Sequence, residues 1–165
     1  MKLSFAVATE SGAPEIAALR NAVSEHLTHL YPHGPRSSGV TEKGVLYDMR
    51  TSRVVIARNR TMIIATLRLA TKKPWAIDTA YFTSVKKPLY LTTMAVHPEM
   101  QRKGVGRQLL DKAKSMAKDW PGDAIRLDAY DTESGAGGFY AKCGFHEVGR
   151  ATYRKAPLVY FELLL

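Results

Sequence analysis

Residue types and spacing first point to chemistry at Gln101-Arg102-Lys103-Gly104-Val105-Gly106-Arg107. This run follows a segment rich in strand formers and opens an amphipathic helix. The first N–H groups of a helix lack intrahelical partners and the helix dipole adds positive potential, so such a junction binds anions. Gly104 and Gly106 carry no side chain and let a phosphate oxygen approach the backbone closely. From Gln101 through Lys118 six basic residues stand against one acidic residue, a net of +5. The whole chain is +9, from 24 Lys and Arg against 15 Asp and Glu. More than half of the net charge therefore sits on one element. These residues read as a phosphate or pyrophosphate cradle; the plain alternative is a tight turn before a helix.

Specific absences narrow the ligand. A Walker A loop needs a Gly-Lys pair, and none exists in the chain. A dinucleotide fingerprint needs a third glycine, but position 109 is leucine; the run Gly135-Ala136-Gly137-Gly138 also fails, because position 140 is tyrosine. No Gly-x-Ser-x-Gly elbow supports a serine hydrolase. The single cysteine, Cys143, excludes an internal disulfide and a Cys-rich zinc site; no Cys-His arrangement supports it as a nucleophile, and beside Gly144-Phe145 it reads as small buried filler. His26, His29 and His33 fall near one helix face or just past it, a spacing open to a metal or to solvated histidines. No cysteine or close carboxylate pair supports the metal, so none is expected. His97 lies in the turn before the cradle. Glu25, Asp128 and Asp131 are candidate bases that the sequence does not separate.

These groups need elements to hold them. Leu3 to Thr9 reads as a strand. Pro14 suits a first helical turn, and Ile16, Leu19, Val23, Leu27 and Leu30 follow at helical spacing until Tyr31-Pro32-His33-Gly34-Pro35. Arg36 to Thr51 fits a loop with a short helix. Arg53 to Ala57 and Met62 to Ala70 read as strands joined through Asn59-Arg60, and Thr71 to Pro88 as a long loop. Its Trp75, Tyr81 and Phe82, with Tyr90, either line an acceptor site or pack the loop onto the sheet. Leu89 to Val96 is a strand. Val105, Leu109, Leu110, Ala113, Met116, Ala117 and Trp120 form a helical stripe ended by Pro121-Gly122. Ile125, Leu127 and Ala129 alternate as in a strand, Gly137 to Cys143 suits a short helix capped by Gly144, and Leu158 to Leu163 suits a last strand. The order implies an α/β (α+β) fold with a mixed sheet flanked by helices.

The cradle resembles the acetyl-CoA motif of the GNAT-type N-acetyltransferases, Q/R-x-x-G-x-G/A, which is complete in Gln101 to Gly106. Gly138-Phe139-Tyr140-Ala141-Lys142-Cys143-Gly144-Phe145 is similar to the family's second signature, a short helix ending in Tyr-x-x-x-Gly-Phe. The resemblance covers Leu89 to about Gly149. It implies a mostly antiparallel central sheet, with Leu91 to Val96 as a strand that splays from its neighbour. It implies that Met94, Ala95 and Val96 meet the pantetheine arm, with the Val96 N–H as an oxyanion-type donor. Gln101, Arg102, Lys103, Gly104, Val105, Gly106 and Arg107 would surround the pyrophosphate, and Tyr140 would contact the cofactor and serve as general acid. One departure is Glu133, followed by Ser134, where many relatives carry asparagine on the cofactor arm.

With 165 residues the chain suits one domain, 1–165, with the cofactor core at about 89–149. No apolar run reaches the roughly 20 residues of a membrane span, and the first apolar stretch is too short for a secretory signal. The lone cysteine fits a cytoplasmic setting. The expected activity is transfer of an acetyl group from acetyl-CoA to a primary amine of a small molecule or peptide. Two alternatives stay open: a basic nucleic-acid-binding module, against which the concentration of charge at a glycine turn argues, and an acyl-CoA-binding protein without catalysis. Leu158 to Leu165 has the apolar character of an edge strand, through which a homodimer could pair.

Overall fold

The computed structural model describes residues 1–34 and 39–165. Pro35 and the start of the stretch from Arg36 lie outside the described residues. Period-2 apolar patterning produces seven strands: β1 (Leu3–Val7), β2 (Arg53–Asn59), β3 (Met62–Ala70), β4 (Pro88–Val96), β5 (Ala124–Tyr130), β6 (His146–Tyr153) and β7 (Ala156–Leu164). They form one sheet in the order β1-β2-β3-β4-β5-β7-β6. Every neighbouring pair is antiparallel except β4 and β5. The helices are α1 (Ala13–Leu30), α2 (Glu42–Thr51), α3 (Val105–Asp119) and α4 (Gly137–Lys142).

Both sheet faces are covered. On one, Val105, Leu109, Leu110, Ala113 and Ala117 of α3 bury against Leu67, Leu69, Leu89, Leu91, Ile125 and Leu127. A fully buried leucine contributes about 1.5–3 kcal/mol, so this face is the larger source of stability. On the other, Ile16 and Leu19 of α1 and Val45 of α2 meet Val54, Ile56 and Ile63. Pro14 fills the first turn of α1, and the Thr41 side chain caps α2 by accepting the Gly44 N–H at 3.0 Å. Asn21 of α1 exchanges two hydrogen bonds with the Val40 backbone, of 2.8 and 2.9 Å, and so pins the entry to α2 against α1.

The rest of that second face lies under the connection between β3 and β4. Ile77 and Phe82 pack with Tyr90, Leu158 and Tyr160, and the Glu162 carboxylate accepts hydrogen bonds from Thr83 N–H and Oγ1. The aromatic residues Tyr81, Phe82 and Tyr90 therefore pack the segment onto the sheet, while Trp75 stands 83% exposed. The packing alternative holds for Tyr81, Phe82 and Tyr90 and not for Trp75.

Two expectations change. Leu158 to Leu165 is not an edge: β7 pairs with β5 on one side and β6 on the other, so its apolar character reflects an interior strand. The strand beyond it, β6, went unforeseen because its sequence, with His146, Glu147 and Arg150, is mostly solvent-facing. The hairpin turn between β2 and β3 is Arg60-Thr61, one residue later than expected, with Arg60 at φ 58.

The end of α4 obeys a simple rule. Gly144 sits at φ 93, its N–H bonds to the Ala141 carbonyl, and the Phe145 N–H bonds to the Tyr140 carbonyl. The Phe145 ring then lies 5.7 Å from the Tyr140 ring. This double closure with its apolar contact is a Schellman stop. Gly144→Ala, forced into a left-handed backbone, is expected to lose about 1–2 kcal/mol in urea unfolding with an unchanged m-value.

Candidate active site

The parallel pairing of β4 with β5 covers only Pro88, Leu89 and Tyr90 against Ala124, Ile125 and Arg126. Beyond it the strands part, and the remainder of β4 keeps only its β3 neighbour. The register with β3 slips between Thr66 and Arg68, so β4 bulges, and Thr93 takes φ 53. A threonine in the left-handed region is strained, and bulges of this kind redirect backbone and side chains. The His97 N–H bonds to Ile64 O on the β3 side. By strand alternation the Val96 N–H and carbonyl point the other way, into the gap. Gln101 Nε2 donates to that Val96 carbonyl at 3.0 Å, which ties the glycine turn to the strand end.

The turn itself is tightly wound. Arg102 has φ 61 and Gly104, the residue before α3, has φ 81. The first helical bond runs from Gln108 N–H to Gly104 O at 3.1 Å. His97 Nδ1 accepts the Glu99 N–H at 3.2 Å, so this histidine caps the preceding turn. Arg107 and Lys114 of α3 reach across to α4, donating to the carbonyls of Lys142 (3.4 Å) and Cys143 (2.6 Å). These cations satisfy orphan carbonyls at a helix C-terminus.

A groove of about 710 Å³ runs between these elements. Of the sequence-derived site residues, Met94, Ala95, Val96, Gln101, Arg102, Gly104, Gly106, Arg107 and Tyr140 line it. Lys103 is exposed outside it, and the Val105 side chain is buried in the core under α3. Ser134, Gly135 and Ala136 form part of the wall, whereas Glu133 is exposed and outside it. A Cβ on Gly135 would lie 1.8 Å from the Tyr130 carbonyl oxygen, so glycine is obligatory in that turn. Phe139 lines the groove too, unforeseen; a Cβ on Gly106 would meet its Cζ at 3.3 Å and Met94 Cε at 3.5 Å.

Tyr140 is buried, with its hydroxyl 3.6 Å from Met94 Sδ. Burial first, then the charge of Asp128 and Cys143, pushes its pKa well above the ordinary tyrosine value, so the phenol stays protonated. The three candidate bases now separate. Asp131 pairs with Arg150 at 3.2 Å, Glu25 is exposed, and Asp128 on β5 is partly buried, with its carboxyl raised by desolvation. Burial also raises the Cys143 thiol. Among the described residues, no group of three or more His, Cys, Asp or Glu side chains is placed to hold a metal ion.

The sequence model of the family described as acetyltransferase (GNAT) domain matches residues 50–147. The chain belongs to the GNAT acetyltransferase family. Solved structures share the fold over nearly their whole length. An N-acetyltransferase from Staphylococcus aureus superposes with a TM-score of 0.73 at 15% identity, covering 99% of both chains. A protein from Streptococcus mutans reaches 0.77 at 17%, also covering 99% of both. The protein yncA from Salmonella typhimurium, solved with its cofactor acetyl-CoA, reaches 0.72 at 14%, covering 100% of this chain and 95% of its own. No curated protein sequence matches the chain.

The groove of this GNAT domain fits a long phosphorylated cofactor: a glycine turn with free helical N–H groups, flanking cations, and an unpaired strand edge beyond it. Filling the groove at Gly106 tests the fit. Gly106→Val is expected to weaken acetyl-CoA binding at least about tenfold by calorimetry, roughly 1.4 kcal/mol, with circular dichroism unchanged.

Proposed function

We propose that the protein transfers the acetyl group of acetyl-CoA to a primary amine by direct attack on the thioester. The observation that carries this reading is the parting of β4 from β5 beyond Tyr90 and Arg126, which leaves the Met94–Val96 backbone open in the same groove as the Gly104 turn and Tyr140. Bound acetyl-CoA supplies an activated acyl group with a thiolate as leaving group. In this reading Met94 and Val96 offer backbone hydrogen bonds to the pantetheine arm, as an added strand would. The helical N–H groups after Gly104, with Arg102 and Arg107, hold the pyrophosphate. The Val96 N–H polarises the acetyl carbonyl.

Asp128, which lines neither cavity but whose charge reaches Tyr140, takes through water the proton that leaves the amine nitrogen as the carbon–nitrogen bond forms. Tyr140 faces the sulfur as the carbon–sulfur bond breaks. A thiol ionises near 8.5 and an ordinary phenol near 10, so a tyrosine raised further by burial transfers its proton uphill. Tyr140 therefore acts as a hydrogen-bond donor that stabilises the thiolate, and the proton taken by Asp128 reaches sulfur through water. An acyl-CoA-binding protein without catalysis would keep the same groove with no use for either group.

Steady-state thiol release tests these roles. Tyr140→Phe is expected to lower kcat about 10²-fold while acetyl-CoA affinity holds. With Asp128 as base, the rate rises with pH through its raised pKa, and Asp128→Asn removes that limb and lowers kcat. Stability moves the other way. A carboxyl whose folded pKa exceeds its unfolded pKa binds its proton more tightly when folded, so ionisation destabilises the fold above that window. Asp128→Asn is therefore expected to melt higher than the native protein at neutral pH, with the difference vanishing in acid. Calorimetry with acetyl-CoA, against ATP and NAD as controls, tests the cofactor itself.

A further inference from the structure

A second cavity, of about 470 Å³, opens beside the cofactor groove and shares Met94 and Ala95 with it. Its outer wall is α1 and α2, and two charged side chains, Arg20 and Asp48, line one corner, with Arg68 of β3 behind Asp48. Arg20 Nη1 lies 3.4 Å from Asp48 Oδ2, and Arg68 Nε lies 3.7 Å from Asp48 Oδ1. One carboxylate thus serves two guanidiniums. The side chains of Arg20, Asp48 and Arg68 are only 19%, 19% and 22% exposed, so water screens the surplus positive charge weakly.

The two arginines are not equivalent. Arg68 is held by Ser52 Oγ at 2.6 Å and by Thr51 Oγ1 at 3.2 Å. Among the described residues Arg20 has one acceptor, Asp48, at a long distance. Arg20 lines the cavity. A guanidinium carries five donors in a planar fork that matches a carboxylate bidentately. Most of that capacity is unused in Arg20, and burial lowers its pKa, a sign that its charge lacks full compensation.

We propose that Arg20 is a specificity-determining residue, and that the acceptor is a small amine that also carries a carboxylate, of the amino-acid class. This rests on the acetyl-transfer reading above. The cavity has the dimensions of a small-molecule site. Its shared wall at Met94 and Ala95 sets the amine toward the cofactor groove while the carboxylate lies on Arg20. A diamine is disfavoured, because Asp48 is already shared with Arg68 and a second ammonium would face the Arg20 guanidinium. The chain's +9 charge favours the approach of an anionic acceptor.

The test is thiol release from acetyl-CoA with a panel of amino acids, their carboxamides, their decarboxylated amines, and O-phosphoethanolamine. Acids are expected to exceed their amides at least about tenfold in kcat/KM, as loss of a charge-assisted hydrogen bond predicts. Arg20→Gln should erase that preference by raising KM for acids, with kcat and the amide values little changed. Asp48→Asn, which removes the competing carboxylate, should lower KM for acids; a merely structural ion pair would raise it for every substrate. Equal use of amides or decarboxylated amines overturns the proposal, as does preference for the phosphorylated amine. Acetyl-CoA binding by calorimetry without turnover of any carboxylate-bearing amine also overturns it and leaves the cofactor reading standing. Failure of acetyl-CoA to bind overturns the acetyl-transfer reading beneath it.

Discussion

The short parallel pairing of β4 and β5 is the constraint on which the rest of the site depends. Three residue pairs hold the strands together, and then they diverge. Unpaired strand edges are normally covered or blunted, because free N–H and C=O groups are costly when buried and adhesive when exposed. Here the open edge lies within the molecule, in a groove with α4 and the 134–136 turn on its far side. It is a template for hydrogen bonding that no second protein chain can reach as a flat edge. A cofactor arm with amide groups is the kind of ligand that such an edge accepts.

Several local devices keep the gap open. The bulge at Thr93 places an extra residue on β4, and the slip falls just where the strand leaves β5 behind. Gln101 then fastens the strand end to the glycine turn, so the groove's apolar and cationic ends keep a fixed spacing. On the far wall, Gly135 presses its backbone against Tyr130 and the Schellman stop at Gly144 fixes the α4 register. Tyr140 is consequently held by rings on several sides: Phe139, Phe145 and Phe161. Packing of this kind sets a hydroxyl's position more firmly than a hydrogen bond to a thioether could.

What the sequence made legible follows from the range of the forces involved. The stripe on α3, the alternation in β5 and the glycine cap of α4 are local patterns, and each appears in the structure where the residues place it. The glycine turn was legible because a helix N-terminus concentrates its chemistry within a few consecutive residues. The second cavity was not. Arg20 and Asp48 stand 28 positions apart on different helices, and neither carries a motif. Arg68 joins them from a strand only because α2 ends beside β3. β6 was hidden by its polar outward face, and β7 was misjudged as an edge because apolar content alone does not give a strand's place in a sheet.

The two cavities divide the electrostatic work. Cations around the glycine turn sit at the protein surface, at a helix terminus, the kind of position where a polyphosphate can bind with its charges partly in water. Around Arg20, Asp48 and Arg68 the charges are withdrawn from water and leave a surplus positive charge, so one added or missing charge has a larger effect there. Asp128 on β5 is likewise withdrawn, and burial disfavours its ionised form and so raises its proton affinity. A fold optimised only for stability would leave neither a desolvated carboxylate nor a half-used guanidinium in place. Both cost local stability where they stand, and the apolar core under α3 is large enough to tolerate it.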